Sequence, residues 1–428
     1  MPATLVDWLK HLEAQHPRGA AGIELGLERV RSVSQALGQR QDVPLITVAG
    51  TNGKGSTCAM LECILCHAGY RVGLYTSPHL LDYNERVRIG GVALGDEELC
   101  AGFARVEAGR GNAALTYFEF GTLAAWECFA AAGVDVVILE VGLGGRLDAV
   151  NIYDADCAIV TAIDIDHTDY LGATREEIGF EKAGIFRGDT PAICADPKPP
   201  LSLLEYADEL GAELRLIGRD FGYLREIEQW EFWSQTMERR TRRRDLPYPG
   251  LRGLTQLQNA SGALAALEAL HAQLPVSLQQ IRRGLSEVRL PGRFQVLPGQ
   301  PTVVLDVAHN PQAARVLADN LDSLLAEKEV QGQTWAIFGM LRDKDIAGVV
   351  RALAGRVTRW LPCSLSGPRA ASAADLARIL ESEGMTPEQT FATPAAAFRH
   401  AHEKAGEDDR ILVFGSFQTV ADVLHELA

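Results

Sequence analysis

Short, continuously apolar runs recur along the first part of the chain, and each of them ends in a polar or glycine-rich turn. Four such runs are PLITV (44–48), RVGLYT (71–76), DVVILEV (135–141) and CAIVTAI (157–163). Helical patterns follow them. Continuous rather than alternating hydrophobicity is typical of parallel strands that helices cover on both faces. The pattern therefore predicts an α/β domain built on a doubly wound parallel sheet.

The same alternation restarts at about residue 301. Strands are predicted in TVVLDVAHN, WAIFGM, TRWLPC and RILVFGS, with helices near 311–325, 345–354, 372–383 and 394–405. A chain of 428 residues is too long for one core. We therefore expect an N-terminal domain over residues 1–292 and a smaller Rossmann-like α/β domain over residues 296–428. A cleft between two such lobes is a common place for a substrate.

Residues 219–250 break this pattern because aromatic and charged residues alternate there. The alternation predicts a small antiparallel addition to the first domain. The basic run Arg239–Arg244 could form a nucleic-acid patch, but an isolated, solvated hairpin is the better interpretation in an acidic chain.

The net charge of −15 argues against binding to nucleic acid or to an anionic membrane surface. No apolar stretch reaches the ~18 residues of a membrane span, and the first 20 residues contain no segment suited to export. We therefore expect a cytoplasmic protein with neither a nucleic-acid nor a membrane partner.

The glycine-rich stretch AGTNGKGST (49–57) connects the first strand to a helix predicted over 58–67. A strand, a tight turn and a helix N-terminus direct backbone N–H groups and a positive dipole end to one point, which suits phosphate. Gly50, Gly53 and Gly55 permit close approach of the backbone, and Lys54 adds a charge. The generic phosphate loop would carry glycine at Val48 and a hydroxyl at Gly55, so an ordinary glycine turn is the alternative. The context favours nucleotide binding.

Polar side chains also follow three other predicted strands. Ser77 follows the strand 71–76, Glu140 lies near the end of the strand 135–141, and His167 follows the strand 157–163. The carboxyl ends of parallel strands meet at one edge of the sheet, so these groups should lie beside Lys54. A hydroxyl, a carboxylate and an imidazole next to phosphate oxygens make a candidate magnesium site. Taken alone, Glu140 is equally well a solvated strand-end carboxylate or a helix cap, and His167 a turn residue.

Two further segments are ambiguous. The run GLGGRLDA (142–149) is flexible backbone that we expect beside the nucleotide, although it lacks the spacing of a dinucleotide fingerprint. Lys182, within FEKAGIF, reads from the residues alone as a lysine at a helix end whose amine reaches solvent.

These residues match the motifs of a known family. The chain resembles the folylpolyglutamate synthases, and in particular their bacterial bifunctional dihydrofolate synthase members. Together with the Mur cell-wall enzymes, these belong to the ATP-dependent amide ligases. The matching motifs span nearly the whole chain in the family's order. They are IELGLERV (23–30), TVAGTNGKGST (47–57), YTSPHLLDYNERVRI (75–89), LTYFEFGTLAAWECF (115–129), EVGLGGRLDAVN (140–151), TAIDIDHTDYLG (161–172), EKAGIFR (181–187), LPGRFQ (290–295), DVAHNP (306–311) and FGSF (414–417).

The resemblance implies a reaction in which ATP phosphorylates a carboxylate, an amine attacks the acyl phosphate, and ADP and phosphate leave. The implied substrates are ATP, L-glutamate, dihydropteroate and reduced folates, and the implied cofactors are ATP and two Mg²⁺ ions. It also implies that Lys182 carries a carbamate that serves the second magnesium. By analogy the protein should be a monomer.

The resemblance also assigns residues. The implied metal ligands are Ser77, Glu140 and His167. The implied catalytic residues are Lys54, Glu140, His167, Lys182 and His309. The implied nucleotide-binding residues are Gly50, Thr51, Asn52, Gly53, Lys54, Gly55, Ser56, Asn259, Arg293 and Asp306. His309 should face the phosphates or the incoming glutamate.

An aromatic pocket for a flat pterin is expected from the helix that begins near residue 116. The implied substrate-binding residues are Gly26, Leu27, Glu28, Arg29, Arg86, Thr116, Phe118, Arg146, Leu147, Asp148 and Ala149. The apolar face of LTYFEFGTLAAW would serve plain helix packing equally well. Asp82 stands where relatives often carry arginine, which leaves Arg86 as the candidate for the anionic glutamyl tail.

Three alternatives remain open at this stage. The first is a monofunctional folylpolyglutamate synthase. The second is a phosphate-loop switch without ligase activity, although such a protein would not need the DVAHNP and FGSF motifs. The third is a Mur-type ligase for a nucleotide-linked sugar peptide, which the LTYFEFGT segment disfavours.

Overall fold

The computed structural model of the protein describes residues 2–15, 23–236, 240–328 and 332–427. The chain divides into two compact units, of which the first comprises Met1–Gly250 and Leu257–Val288 and the second comprises Leu251–Gln256 and Arg289–Ala428. The sequence-based division places residues 289–292 of the second unit in the N-terminal domain, and it does the same with the separate short segment Leu251–Gln256. Within that segment, the backbone N–H of Leu254 donates to the side-chain oxygen of Asn320 at 2.8 Å.

The first unit is built on an eight-stranded sheet. Its strands in chain order are β1 (Leu45–Ala49), β2 (Val72–Tyr75), β3 (Val87–Ile89), β4 (Val92–Ala93), β5 (Val136–Glu140), β6 (Cys157–Val160), β7 (Pro191–Cys194) and β8 (Glu213–Leu216). They lie side by side in the order β4-β3-β2-β5-β1-β6-β7-β8. The six strands from β2 to β8 in this order pair in parallel, and β3 and β4 add an antiparallel edge. The predicted α/β fold with a doubly wound sheet is confirmed.

Helices cover this sheet. They are α1 (Leu5–Gln15), α2 (Glu28–Ala36), α3 (Lys54–His67), α4 (Asp96–Gly109), α5 (Tyr117–Ala132), α6 (Thr168–Leu171), α7 (Arg175–Ala183), α8 (Leu201–Leu210), α9 (Gln256–Ala269) and α10 (Leu278–Glu287), with 3-10 helices at Tyr83–Arg86 and Ala149–Ile152. Every residue of β1, β2, β5 and β6 is buried. Both faces of the central strands are therefore covered, which explains why their sequences do not alternate.

Helix α3 begins at Lys54, four residues before the predicted start at Cys58. Lys54, Gly55 and Ser56 already have helical backbone conformation, so the phosphate-loop lysine belongs to the first turn. Helix α10 packs closely on α3 at Gly284, where a Cβ atom would lie 2.5 Å from the Cα atom of Ile64. The glycine thus sets the distance between the two helix backbones.

Residues 221–247 form a three-stranded antiparallel sheet of β9 (Phe221–Arg225), β10 (Gln229–Gln235) and β11 (Arg240–Pro247). The antiparallel addition is as predicted, but the interpretation as an isolated, solvated hairpin is wrong. Arg243 is paired with Glu268 of α9, and Arg242 and Arg244 bind the buried Glu231. These arginines neutralise carboxylates of the same unit. Arg239 lies outside the described residues.

The second unit contains a five-stranded sheet. Its strands are β12 (Gln295–Leu297), β13 (Thr302–Leu305), β14 (Thr334–Phe338), β15 (Arg359–Pro362) and β16 (Arg410–Phe414). Their order is β12-β13-β16-β14-β15, parallel except for the edge strand β12. The helices are α11 (Pro311–Lys328), α12 (Ile346–Leu353), α13 (Ala373–Ser382), α14 (Pro394–Lys404) and α15 (Phe417–Leu427). The three-residue strand β12 was not predicted because it is too short to show a period.

Among the described residues, no helix has the length and apolar character that crossing a membrane requires.

The close approach at Gly284 gives a test of how α3 is held. Gly284→Ala should lower the free energy of unfolding by about 1–3 kcal/mol, because the added methyl group forces two backbones apart. Helix propensity alone would raise it by about 1 kcal/mol, so the sign decides between the two effects. Urea denaturation measures the change, and Arg283→Ala on the exposed face of α10 serves as the control. A stabilised Gly284→Ala variant would contradict the packing argument.

Candidate active site

The glycine loop between β1 and α3 is enclosed on two sides. A Cβ atom at Gly50 would overlap the hydroxyl oxygen of Thr161, and one at Gly53 would lie 2.5 Å from the side-chain oxygen of Asn259. The φ angles of Gly50 and Gly53, 149° and 91°, also favour glycine. The loop is therefore a close-fitting backbone cradle that side chains at these two positions would fill.

Lys54 folds back over this cradle. Its Nζ donates to the backbone oxygens of Gly50 at 3.0 Å and Thr51 at 3.4 Å. The residue before α3 is Gly53, which has no side chain to cap the helix. The N–H groups of the first turn therefore have no side-chain acceptor at this position, and they point toward the cradle. A polyphosphate would meet these N–H groups, the helix dipole and the lysine together.

The loop that follows β6 is joined to this cradle by several hydrogen bonds. The backbone N–H of Thr51 donates to the oxygen of Ala162 at 2.7 Å, and its hydroxyl donates to the oxygen of Asp164 at 2.9 Å. The hydroxyl of Thr161 donates to the oxygen of Asn52 at 2.7 Å. The segment that leads to His167 therefore has a fixed position relative to the cradle.

The strand order brings three predicted metal ligands to the same edge of the sheet as Lys54. In the register of the sheet, Val48 of β1 faces Glu140 of β5, and Tyr75 of β2 faces Leu139 of β5. The backbone N–H of Ser77 donates to Oε2 of Glu140 at 3.1 Å, and the Glu140 side chain is buried. Glu140 is the last residue of β5, and Ser77, the cradle and the loop carrying His167 follow its neighbours β2, β1 and β6.

His167 is the residue before α6 and has φ 53° and ψ 42°. This left-handed conformation is uncommon for a residue with a side chain and costs about 1–3 kcal/mol. The backbone N–H of His167 donates to Oδ1 of Asp166 at 2.8 Å. The strain at this position is consistent with a functional constraint on the direction of the imidazole.

Lys182 is not the solvent-reaching lysine that the residues alone suggested, because it is only 3% exposed. Burial is the main cause that lowers its pKa to about 7, and the charge of Lys54 lowers it further. Asp166, Asp148 and Glu181 act on it in the opposite direction. Lys182 therefore lies in the same electrostatic environment as Lys54 and the His167 loop, with an amine that is largely uncharged above neutral pH.

Asp148 is a second buried ionisable group beside the cradle. It accepts the backbone N–H groups of Leu143 at 2.8 Å and Val150 at 3.1 Å, and so closes the glycine turn after β5. Burial raises the pKa of Asp148 to about 7, although these backbone hydrogen bonds and Lys54 oppose the rise.

The predicted pterin-binding segments contact one another. The backbone N–H of Gly26 donates to the oxygen of Leu147 at 3.3 Å, and a Cβ atom at Gly142 would lie 2.7 Å from the ring of Phe118. The Phe118 ring also lies 5.7 Å from that of Tyr75. The segments around residues 26, 118 and 147 therefore form one surface, with Phe118 available for stacking.

Two of the predicted substrate-binding side chains have structural partners. The hydroxyl of Thr116 caps α5 by accepting the N–H of Glu119 at 3.2 Å. Arg29 of α2 donates to both carboxylate oxygens of Glu119, at 3.0 and 2.9 Å, and to Glu24 at 2.8 Å. Leu27 and Glu28 lie at the start of the same helix α2. Arg29 therefore fixes α2 against the start of α5.

Arg146 is similarly engaged, since it donates to Oε1 of Glu181 at 2.7 and 3.1 Å. Ala149 is buried at the start of a 3-10 helix.

Arg86 lies among aromatic rings at the end of its 3-10 helix. Its guanidinium stands 5.2 Å from the ring centre of Tyr83 and 5.5 Å from that of Tyr117, and Nε donates to Nδ1 of His79 at 2.9 Å. Burial and then Arg86 lower the pKa of His79 to about 4, so this imidazole is a neutral acceptor at physiological pH. Asp82 is exposed nearby, and its backbone N–H donates to Glu85.

In the second unit, the predicted residues gather at the end of β13. Asp306 accepts the backbone N–H groups of Phe294 at 2.8 Å and Ala308 at 2.7 Å, and burial raises its pKa. The guanidinium of Arg293 stands 4.9 Å from the ring centre of Phe417, and the ring of His309 is 6.4 Å from the same ring. Asp306 thus orders the LPGRF and DVAHNP segments relative to each other.

In the first unit, sequence reasoning missed three polar residues near the edge of the sheet that carries the cradle. They are Thr161, Arg175 and Asp196. Asp196 follows the carboxyl end of β7, so the rule that selected Ser77, Glu140 and His167 would have found it. Thr161 is hidden within an apolar run, and only the structure shows its contact with the cradle. Arg175 gave no signal beyond its place at the start of a helix.

The protein side chains at this site would bind a cation only together with oxygen atoms of a bound phosphate. Within the part of the chain that the structure describes, no group of three or more His, Cys, Asp and Glu side chains is arranged to hold a metal. One carboxylate, one hydroxyl and one imidazole beside a phosphate cradle do fit a hard divalent ion that completes its shell with phosphate and water.

Comparison with known proteins agrees with this geometry. Residues 48–195 match the Mur ligase middle domain family, and residues 292–417 match the Mur ligase glutamate ligase domain family. The dihydrofolate synthase/folylpolyglutamate synthase of Escherichia coli strain K12 is 46% identical over 423 residues, covering 98% of this chain and 94% of the relative.

Solved structures agree as well. Escherichia coli FolC in complex with DHPP and ADP superposes with a TM-score of 0.91 at 46% identity, covering 99% of this chain and 98% of that one. A bifunctional folylpolyglutamate synthase/dihydrofolate synthase with Mn, AMPPNP and L-glutamate bound gives a TM-score of 0.89 at 47% identity, with the same coverage. The chain therefore belongs to the dihydrofolate synthase/folylpolyglutamate synthase family of ATP-dependent Mur-type ligases.

Proposed function

We propose that the protein joins L-glutamate to dihydropteroate, and also to reduced folates, with ATP as the energy source. The observation that carries the proposal is the order β2-β5-β1-β6, which sets Ser77, Glu140 and the loop of His167 around the glycine cradle. The ADP, AMPPNP, Mn, DHPP and L-glutamate named for the related structures support ATP, a divalent cation and these substrate classes.

The chemistry has two steps. A carboxylate oxygen of the folate precursor attacks the γ-phosphorus of ATP, so that an acyl phosphate forms and ADP leaves. The amine of glutamate then attacks the acyl carbon, the C–N bond forms, and phosphate and a proton leave. Exclusion of water matters in both steps because an acyl phosphate hydrolyses readily.

The cradle and Lys54 bind the phosphates and stabilise the negative charge that develops during transfer. Ser77, Glu140 and His167 would hold Mg²⁺, which supplies further positive charge at the transferred phosphoryl group when it is bound. Glu140 also fixes the backbone of Ser77 through the 3.1 Å hydrogen bond, so the two candidate ligands keep a constant separation.

The surface formed by Gly26–Arg29, Phe118 and Arg146–Ala149 is proposed to take the pterin. Phe118 offers a ring face for stacking, and the buried Asp148 offers a carboxyl group that can accept or donate near neutral pH. Arg86 is proposed to bind the anionic tail of the substrate.

The remaining assignments follow the family. Residues 1–292 are proposed as the ATP-binding domain and residues 296–428 as the glutamate-ligase domain. Asn259, Arg293 and Asp306 are assigned to the nucleotide, and His309 to the phosphates or the glutamate.

Lys182 is proposed to carry a carbamate. Its amine attacks carbon dioxide, the C–N bond forms, and a proton is lost. The reaction needs an uncharged amine, and a pKa lowered to about 7 by burial supplies one at physiological pH. The product is an anion beside Lys54, suited to a second Mg²⁺.

The direct test is glutamate-dependent ADP release by the purified protein with Mg²⁺ and ATP. We expect release with dihydropteroate and with tetrahydrofolate, and mass spectrometry should find the corresponding glutamyl amides. Activity with tetrahydrofolate alone would identify a monofunctional folylpolyglutamate synthase. ADP release with neither acceptor would overturn the proposed function.

Variants at the cradle test the site itself. Lys54→Ala and Glu140→Gln should each lower kcat by about 10²–10³, because each removes charge stabilisation from phosphoryl transfer. The glutamine retains an oxygen that can accept the N–H of Ser77, so thermal stability should change little. Lys10→Ala, which removes an exposed lysine of α1, is the matched control. A wild-type kcat in either cradle variant would show that the site lies elsewhere.

The state of Lys182 sets the pH dependence of stability. Its folded pKa of about 7 lies below the value of about 10.4 for an unfolded lysine. Between these values the unfolded chain binds more protons, so the free energy of unfolding rises with pH through this window. In bicarbonate-free buffer, Lys182→Met should therefore be more stable than the wild type near neutral pH, by a margin that shrinks as the pH rises.

Urea denaturation across this pH range measures the margin, with Lys10→Met as control. A margin independent of pH would contradict the burial of a titrating amine. With ¹³C-labelled bicarbonate, the wild type should show a carbamate signal by NMR that Lys182→Met lacks. Identical spectra would exclude the carbamate.

A further inference from the structure

We propose that Arg175 and Asp196 are a positioning pair that sets the geometry of the cation site without contacting the ligand. The inference rests on the proposed function, since it concerns the loop that carries His167. Asp196 accepts the backbone N–H of Ile163 at 2.7 Å, and Nε of Arg175 donates to the backbone oxygen of the same residue at 3.0 Å. Both polar backbone groups of Ile163 are thus bound by one ion pair.

This pair completes a two-sided support of the loop. The backbone oxygens of Ala162 and Asp164 accept hydrogen bonds from Thr51 in the phosphate cradle. Ile163, between them in sequence, is bound by Arg175 and Asp196 instead. Ala162 and Asp164 are therefore fixed to the cradle, and Ile163 is fixed to the ion pair. Ile163 lies four residues before His167, whose backbone is strained.

The pair also joins this loop to the helix that carries Lys182. Arg175 is the first residue of α7, and Lys182 follows seven residues later, so the two lie on one face of the helix. Asp196 comes from the end of β7 and accepts the N–H of Lys198 at 2.8 Å, while Nη2 of Arg175 donates to the oxygen of Lys198 at 2.9 Å. One guanidinium and one carboxylate thus connect the ends of β6 and β7 with the start of α7.

The chemistry of the pair requires arginine. Nε and Nη2 point in fixed directions and serve three acceptors: Ile163, Asp196 and Lys198. The Asp196 side chain is 4% exposed and that of Arg175 is 37% exposed. A lysine would keep the charge and lose this fork. The separation of His167 from Lys182 would then no longer be fixed, while the core of the unit would remain intact.

Arg175→Lys tests this role, and Arg105→Lys is a matched control. Arg105 also binds one carboxylate and one backbone oxygen, both of Glu127, at 3.0 and 3.1 Å, and its side chain is 40% exposed. It connects α4 with α5. Both variants should lose similar thermal stability. The affinity for AMPPNP is measured by calorimetry with Mn²⁺ and in EDTA, and the ratio of the two affinities reports the contribution of the cation.

We expect Arg175→Lys to reduce this ratio by about 10-fold to 100-fold, as loss of a supporting contact does at metal sites. Cation-free affinity should stay near the wild-type value because Thr51 still holds the cradle. Arg105→Lys should leave the ratio unchanged. Asp196→Asn, which keeps the shape but loses an acceptor, should act in the same direction as Arg175→Lys.

An unchanged ratio in both Arg175→Lys and Asp196→Asn would overturn the inference, and so would a wild-type protein whose AMPPNP affinity does not depend on Mn²⁺. A different result would overturn the proposed function without affecting this inference. A wild type that binds AMPPNP more tightly with Mn²⁺ but forms no glutamyl amide would leave the positioning role standing and remove the ligase assignment.

Discussion

The parallel pairing of β1 with β5 on one side and β6 on the other is the constraint on which the candidate site depends. These buried strands share their hydrogen bonds along their full length, so their carboxyl ends cannot shift independently. Glu140, the glycine cradle and the loop of His167 are extensions of these three ends. A slip of one residue in either pairing would turn every side chain of a strand to the opposite face and separate these groups.

The fold was readable from sequence because buried parallel strands are continuously apolar and helices cover them on both sides. Ser77, Glu140 and Lys54 could be placed together for the same reason, since strand ends converge wherever a parallel sheet forms. The character of Lys182 could not be read. Its burial depends on loops from β5 and β6 that are distant in sequence, so local patterning described it wrongly. Arg243 was misjudged in the same way, because its partner Glu268 lies in a later helix.

Charge is distributed more locally than the net value suggests. The acidic excess of this chain coexists with a centre where Lys54 lowers the pKa values of both Lys182 and Asp148, while Asp148 raises that of Lys182. The positive charge of Arg29 is already paired with Glu119 and Glu24, so it is not available to a substrate. The net charge of −15 therefore does not describe the small volume in which phosphate would bind.

Gly50 and Thr161 form a matched pair with a consequence for how this loop can vary. The hydroxyl that leaves no room for a side chain at Gly50 also donates to the carbonyls of Ala49 and Asn52. Shortening Thr161 to make space would remove the hydroxyl from both carbonyls at the entrance to the cradle. The backbone N–H groups of Thr161, at 2.9 Å from the oxygen of Ala49, and of Ala162, at 3.4 Å from that of Asn52, would be left to bind them. A single substitution at Gly50 would cause a steric clash, and one that removes the Thr161 hydroxyl would lose its hydrogen bonds. Single substitutions at either position are therefore disfavoured. Relatives that differ at one of the two are expected to have rebuilt the other.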